Sequence, residues 1–161
     1  MSGTGTPATL ALTQAGVAFT LHTYDHDPSV QDFGREAARQ LGFDPLRVFK
    51  TLVVATGVGR PGLAVGIVPV AGSLDLKAMA QALHVKKVEL ADPKAAENSS
   101  GYIVGGISPI AQKTALPTVL DETAGLFDTI LVSGGRRGLD IELRPDDLLR
   151  VTGGILAGIA R

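Results

Sequence analysis

Residues 51–74 carry a single charge, Arg60. A helix that spans a membrane needs about 20 mostly apolar residues in succession. Here Gly57, Gly59, Arg60, Pro61 and Gly62 interrupt the middle, and Pro69 follows. Glycine and proline at that density mark a turn. The stretch therefore reads as two strands, residues 49–55 and 63–68, joined by a glycine-rich turn into an antiparallel hairpin. No membrane association is expected.

The rest of the chain is read around this hairpin. Its 161 residues suit one domain of ordinary size, covering 1–161 with about the first five residues as a flexible tail. Helix signals appear at residues 7–15, stopped by Gly16, and at 32–41, stopped by Gly42. Two more begin at aspartate caps, Asp75 before residues 76–83 and Asp92 before Pro93, and another covers residues 145–151. Asp44-Pro45 predicts a very short helix. Residues 17–24, 86–90, 116–121, 129–132 and 139–143 read as strands. Tyr102-Ile103-Val104 reads as a strand ending in the turn Gly105-Gly106, and residues 133–138 as a second glycine-rich turn. Strands and helices mix without a steady βαβ rhythm. The expected class is α+β with a largely antiparallel or mixed sheet.

The absence of cysteine removes disulfides, thiolate metal sites and a cysteine nucleophile. It suits a cytoplasmic protein, and residues 1–7 have no signal-peptide pattern. His22 and His26 lie four apart along a strand leading into a turn, over about 12 Å and too far to share a metal. His84 closes a helix, where a cation is structural. No metal and no cofactor are expected. Ser108 and Ser133 sit beside glycine pairs but outside the G-x-S-x-G elbow of hydrolases. The net charge of −1 argues against tight binding of nucleic acid by this chain alone.

Three features carry chemical potential. Gly105-Gly106 either simply reverses the chain or offers bare N–H groups to an anion or oxyanion. Lys50, within an apolar strand, either faces solvent or points into a cleft toward a phosphate or carboxylate. Asp140 shares a strand face with Glu142, which is either solvated or turned to a cleft.

At these residues the chain resembles the YbaK/EbsC family, and within it the Cys-tRNA(Pro) deacylases related to the editing domain of bacterial prolyl-tRNA synthetases. The resemblance rests on His22-Thr23-Tyr24-Asp25-His26-Asp27-Pro28, Val48-Phe49-Lys50-Thr51-Leu52, the segment from Val68 to Lys77, Lys86-Lys87-Val88-Glu89, Gly101 to Pro109, and Val132 to Leu143. It implies a compact α+β fold with a curved, partly barrel-like mixed sheet surrounded by helices. It implies hydrolysis of the ester joining a misattached amino acid to the 3′ end of proline tRNA. Lys50, Gly105, Gly106 and Asp140 would be catalytic, and Tyr24, Phe33, Thr51 and Ser108 would contact substrate; Phe33 either walls the pocket or is plain core. Lys86, Lys87, Lys113, Arg136 and Arg137 would touch tRNA or lie on a solvated surface. The partners would be the acceptor end of tRNA(Pro) and prolyl-tRNA synthetase. The substrate thiol would attack its own ester, with attack by a water held by Lys50 and Asp140 as the competing route. A relative acting on Ala-tRNA(Pro), or a non-catalytic module binding a tRNA end or nucleotide, are the alternatives.

Overall fold

The computed structural model describes residues 5–161; most of the expected N-terminal tail lies outside the described residues. Helix α1, Pro7–Gln14, starts at a capping box in which the Thr6 and Thr9 side chains each take the other's backbone N–H. Strand β1, Thr20–Thr23, leads through a loop to α2, Phe33–Leu41. Asp32 caps α2 and Gly42 ends it in the left-handed region at φ +74°. The expected hairpin is present as β2, Phe49–Ala55, antiparallel to β3, Leu63–Pro69.

Helix α3, Leu76–Leu83, follows its Asp75 cap, and His84 closes it at φ +58°. Strand β4 is only Glu89–Leu90, shorter than expected. Helix α4 is Pro93–Ser100, β5 is Thr118–Asp121, and a 3-10 turn covers Glu122–Leu126. Strands β6, Ile130–Arg136, and β7, Leu139–Leu143, form a hairpin. Helix α5, Pro145–Thr152, precedes β8, Ile155–Ala157, which the sequence reading missed.

Two sheets result. One has the order β1-β7-β6 and is antiparallel. The other has the order β4-β2-β3-β5-β8, with β5 parallel to both neighbours. A parallel bridge, Val48↔Leu131, joins them where β2 begins. The class is α+β with mixed pairing, as expected, and the sheets do not close into a barrel.

Three expectations are corrected. Asp44-Pro45 opens a turn, with the Arg47 N–H on the Asp44 carbonyl (2.8 Å), and not a helix. Residues 102–104 form no strand, because their groups are held by helix and loop partners described below. Ser133-Gly134-Gly135 belongs to β6, with a bulge between Ser133 and Arg136; the chain reverses only after it. Among the described residues, no helix is long and apolar enough to cross a membrane.

The main core lies between the sheets and includes Phe49, Val53, Ile67, Leu120, Ile130, Val132, Ile141 and Leu143. A second cluster sits under α3 around Met79 and Val68. A third packs Ala37 and Ala38 of α2 on Val48, Val70 and Leu131. This third cluster fixes the site, since it shows which sheet face α2 covers.

Candidate active site

Side chains alternate across a strand. Just before β2, Val48 packs against α2, while Phe49 and Val53 of β2 enter the main core. Lys50 therefore follows Val48 onto the α2 face. In β7, Leu139, Ile141 and Leu143 are buried, and Ile141 and Leu143 lie in the main core. Asp140 and Glu142 consequently emerge on the opposite face. The register pairs Asp140 with both His22 and Ser133. The adjoining surfaces of the two sheets thus carry Lys50 on one and Asp140 and Ser133 on the other, with the start of α2 beside them.

These residues line a cleft of about 340 Å³. Tyr24, Phe33, Gly34, Thr51, Val104 and Gly105 also contribute to its wall. Leu90, Ala91, Pro93 and Ala96 make an apolar side. The structure thus brings together Lys50, Gly105, Asp140, Tyr24, Phe33 and Thr51, all expected from the sequence. It adds Ser133 and Gly34.

The two acids of β7 have opposite environments. Glu142 accepts from the Thr129 hydroxyl (2.6 Å) and Arg47 (2.8 Å) and meets His22 (2.8 Å). The hydrogen bonds from Thr129 and His22, with the charge of Arg47, hold its carboxyl below the usual carboxylate range. Asp140 is 6% exposed, and its carboxyl has no hydrogen bond or ion pair among the described residues. Burial pushes its carboxyl up to about 7. Lys50 likewise has no acidic partner among the described residues. Tyr24 is raised to about 12 by burial and then by the charges of Asp140 and Glu36, so its phenol remains a donor at neutral pH.

The glycine loop is braced at several of its polar atoms. Glu97 accepts the Val104 N–H (2.9 Å), and Arg137 Nε donates to the Val104 carbonyl (2.9 Å). Gly106 N–H donates to the Ile103 carbonyl (2.9 Å), which closes a turn with Gly105 at φ +90°. Gly106 therefore has no N–H to offer a ligand. The Gly105 N–H has no partner among the described residues, and Gly105 lines the cleft. Of the expected pair of donors, one remains. A Cβ at Gly106 would lie 2.6 Å from the Arg136 Cα, so its glycine serves close packing against the β6–β7 turn.

Ser108 is fully buried outside the cleft wall. Its Oγ accepts the Ile110 N–H (3.2 Å), so it braces the loop. Arg137 is also held: its guanidinium lies 4.8 Å from the centre of the Phe33 ring. That ring also neighbours His26, at 5.4 Å. His26 Nδ1 meets the fully buried Glu36 (2.6 Å), whose second oxygen accepts the Asp27 N–H (2.8 Å). Glu36 thus pins the loop before α2 and, through His26, sets Phe33. The sequence reading did not single out Glu36; its signal was a lone acid beside Ala37 and Ala38. Arg136 is partly buried at the end of β6, and Lys86, Lys87 and Lys113 are exposed beyond the cleft lining. Among the described residues no group of His, Asp and Glu could hold a metal ion.

Comparison with known proteins gives a consistent result. Residues 27–151 match the family model described as aminoacyl-tRNA editing domain. Over 122 residues the chain is 44% identical to an Enterococcus faecalis protein named "Putative Cys-tRNA(Pro)/Cys-tRNA(Cys) deacylase EbsC", covering 76% of this chain and 73% of that one. A crystal structure described as "a putative trans-editing enzyme for prolyl tRNA synthetase" superposes with a TM-score of 0.81 at 23% identity, covering 100% of this chain and 99% of that one. A hypothetical protein solved by crystallography gives 0.85 at 24% identity, over 97% and 100% of the two chains. At these identities the two structures speak to the fold.

Proposed function

The chain belongs to the aminoacyl-tRNA editing domain family, and from that premise we propose that it hydrolyses the aminoacyl ester of Cys-tRNA(Pro) as a free-standing editing deacylase. One observation carries this reading. The side chains of Lys50 and Asp140 stand in one cleft with no ionic or hydrogen-bond partner among the described residues, beside the Gly105 N–H, which likewise has none among them. A fold does not leave two buried or half-buried ionic groups unpaired for stability.

Attack on an ester puts negative charge on its carbonyl oxygen, and a fixed N–H donor stabilises that charge by about 100- to 1,000-fold in rate. Gly105 supplies such a donor. Lys50 binds the 3′-terminal adenosine or its phosphate. Ser133 is a poor nucleophile, because its Oγ accepts the Gly135 N–H (3.2 Å) and no base among the described residues is hydrogen-bonded to it. The reactive group is therefore the substrate thiol. Its sulfur attacks the ester carbonyl, the C–O bond to the ribose breaks, and the thiol proton passes to the leaving 3′ oxygen. Water then opens the thiolactone to free cysteine. Asp140, titrating near neutral pH, is matched to take the thiol proton in transit. Selection of proline tRNA rests on a complex with prolyl-tRNA synthetase, consistent with the net charge of −1.

The test is deacylation of Cys-tRNA(Pro), Ser-tRNA(Pro) and Ala-tRNA(Pro) by the purified protein and by Lys50→Ala. Rapid loss of cysteine, slow loss of alanine and at least a ~100-fold drop in the variant are expected. Rapid hydrolysis of the alanyl ester would refute thiol assistance, and no hydrolysis of any ester would leave a binding module.

A further inference from the structure

Strand β2 is paired on one side along its whole length and on the other side only at its ends. The β3 ladder runs from Phe49↔Pro69 to Ala55↔Leu63. On the opposite edge, the bridge Val48↔Leu131 holds the beginning, with the Leu131 N–H on the Arg47 carbonyl (3.1 Å). Pairing with β4 holds the end, at Val54↔Leu90 and Ala55↔Glu89, and the Ala91 N–H takes the Val53 carbonyl (3.0 Å). Between these contacts β2 has an open edge, and its residues 49–53 all line the cleft.

Pairing parity identifies the exposed groups. In an antiparallel ladder, residues alternate between pairs that exchange both main-chain hydrogen bonds and pairs that exchange none. The Val70 N–H donates to the Val48 carbonyl (2.8 Å), and the Thr56 N–H to the Gly62 carbonyl (2.8 Å). Even-numbered residues of β2 thus bond β3, and odd-numbered ones turn their N–H and C=O away from it. Val53 obeys this rule through its bond with Ala91. Thr51, at the middle of the gap, presents both its N–H and its C=O to the cleft edge. Its Oγ1 is also buried without a partner among the described residues.

We propose that the main chain of Thr51 reads the α-aminoacyl group as an added strand residue, its N–H donating to the ester carbonyl and its C=O accepting from the α-ammonium. The inference rests on the deacylase reading above. An α-aminoacyl ester has a donor and an acceptor on one carbon unit, spaced as in a peptide residue. That is the complement of one residue of the open edge, which is how added strands are recognised. The Thr51 N–H then acts with the Gly105 N–H on the developing oxyanion. Main-chain recognition ignores the side chain, so it fixes the ester and leaves amino-acid choice to the pocket and to the thiol.

Two measurements test this. The first uses the wild-type protein on Cys-tRNA(Pro) and on 3-mercaptopropionyl-tRNA(Pro), which lacks only the α-ammonium, each rate divided by that of the uncatalysed ester. The expected loss is about 10- to 100-fold, the factor of one hydrogen bond to a charged group. The second replaces Thr51 by its α-hydroxy acid analogue, which swaps the main-chain N–H for an ester oxygen and keeps the side chain. A ~100-fold or larger fall in kcat is expected, with KM changed far less. Equal normalised rates for the two esters, or an unchanged kcat in the backbone variant, would overturn the proposal while leaving the deacylase reading in place. No hydrolysis of Cys-tRNA(Pro) by the wild type would overturn both.

Discussion

Replacing Asp140 by asparagine should stabilise the protein at alkaline pH while disabling it. Asp140 is almost wholly buried, and no donor among the described residues compensates its charge. Burial lifts its carboxyl from an ordinary 3.8 to about 7 in the folded state. The folded chain therefore holds this proton more tightly than the unfolded chain. Stability from this group is fully present below the unfolded value near 3.8 and is lost as pH rises through about 7. The interval is about three decades of proton affinity at ~1.4 kcal/mol each, so ionised Asp140 costs on the order of 4 kcal/mol above neutrality. Asparagine is nearly isosteric and stays neutral. In urea unfolding at pH 8 the variant should exceed wild type by a few kcal/mol, and the gap should shrink steadily toward pH 4. Deacylation should fall by roughly 100-fold or more, as for loss of a positioned acid–base group. A stability gap that is absent at pH 8, or that widens on acidification, would refute the assignment of an unpaired buried carboxylate.

The remaining mutational predictions concern the walls of the cleft. Gly106→Ala places a methyl 2.6 Å from the Arg136 Cα and 2.8 Å from its carbonyl carbon, both backbone atoms that cannot swing aside. It should cost about 1–3 kcal/mol in urea unfolding and reduce deacylation by displacing Gly105; unchanged stability would contradict the packing described. Glu36→Ala removes the fully buried acceptor of the half-buried His26 ring and of the Asp27 N–H. About 3 kcal/mol of stability should be lost, with Glu36→Gln restoring part of it; a loss under ~1 kcal/mol would deny Glu36 its bracing role.

Local signals carried far through this chain because its helix ends are locally determined. Asp32, Asp75 and Asp92 each cap their helix by a side-chain bond to an N–H two or three residues on, so the sequence alone displays donor and acceptor. The failures share the opposite property. Tyr102-Ile103-Val104 has strand composition, yet the Tyr102 hydroxyl bonds the Ile110 carbonyl and Glu97 takes the Val104 N–H. Those partners decide the conformation, and neither is visible in the triplet. Gly134 and Gly135 suggested a turn. In the fold they let β6 approach Leu139, Tyr102 and Thr6 too closely for any side chain. Strand β8 exists only through its pairing with β5, and Ile155 and Leu156 remain half exposed.

The candidate site was legible as residue types and faces, and illegible as partners. Asp140 and Glu142 are two residues apart on one strand and share one face, so alternation treats them alike. Arg47 and Thr129 come from distant segments and reach only Glu142. That contact makes Glu142 a brace between β7 and the start of β2. Asp140 lines the cleft, where neither donor arrives, and remains a destabilising group. The same logic applies to Thr51, whose main chain is open because β6 leaves β2 after Val48 and β4 joins only at Val54. Each unpaired group in the cleft is thus produced by the point where two sheets part. A gap between sheets exposes strand edges and buried-face polar residues together, which is the combination that the proposed deacylation draws on: donors for an oxyanion, an acceptor for an ammonium and a carboxylate raised toward neutrality by burial.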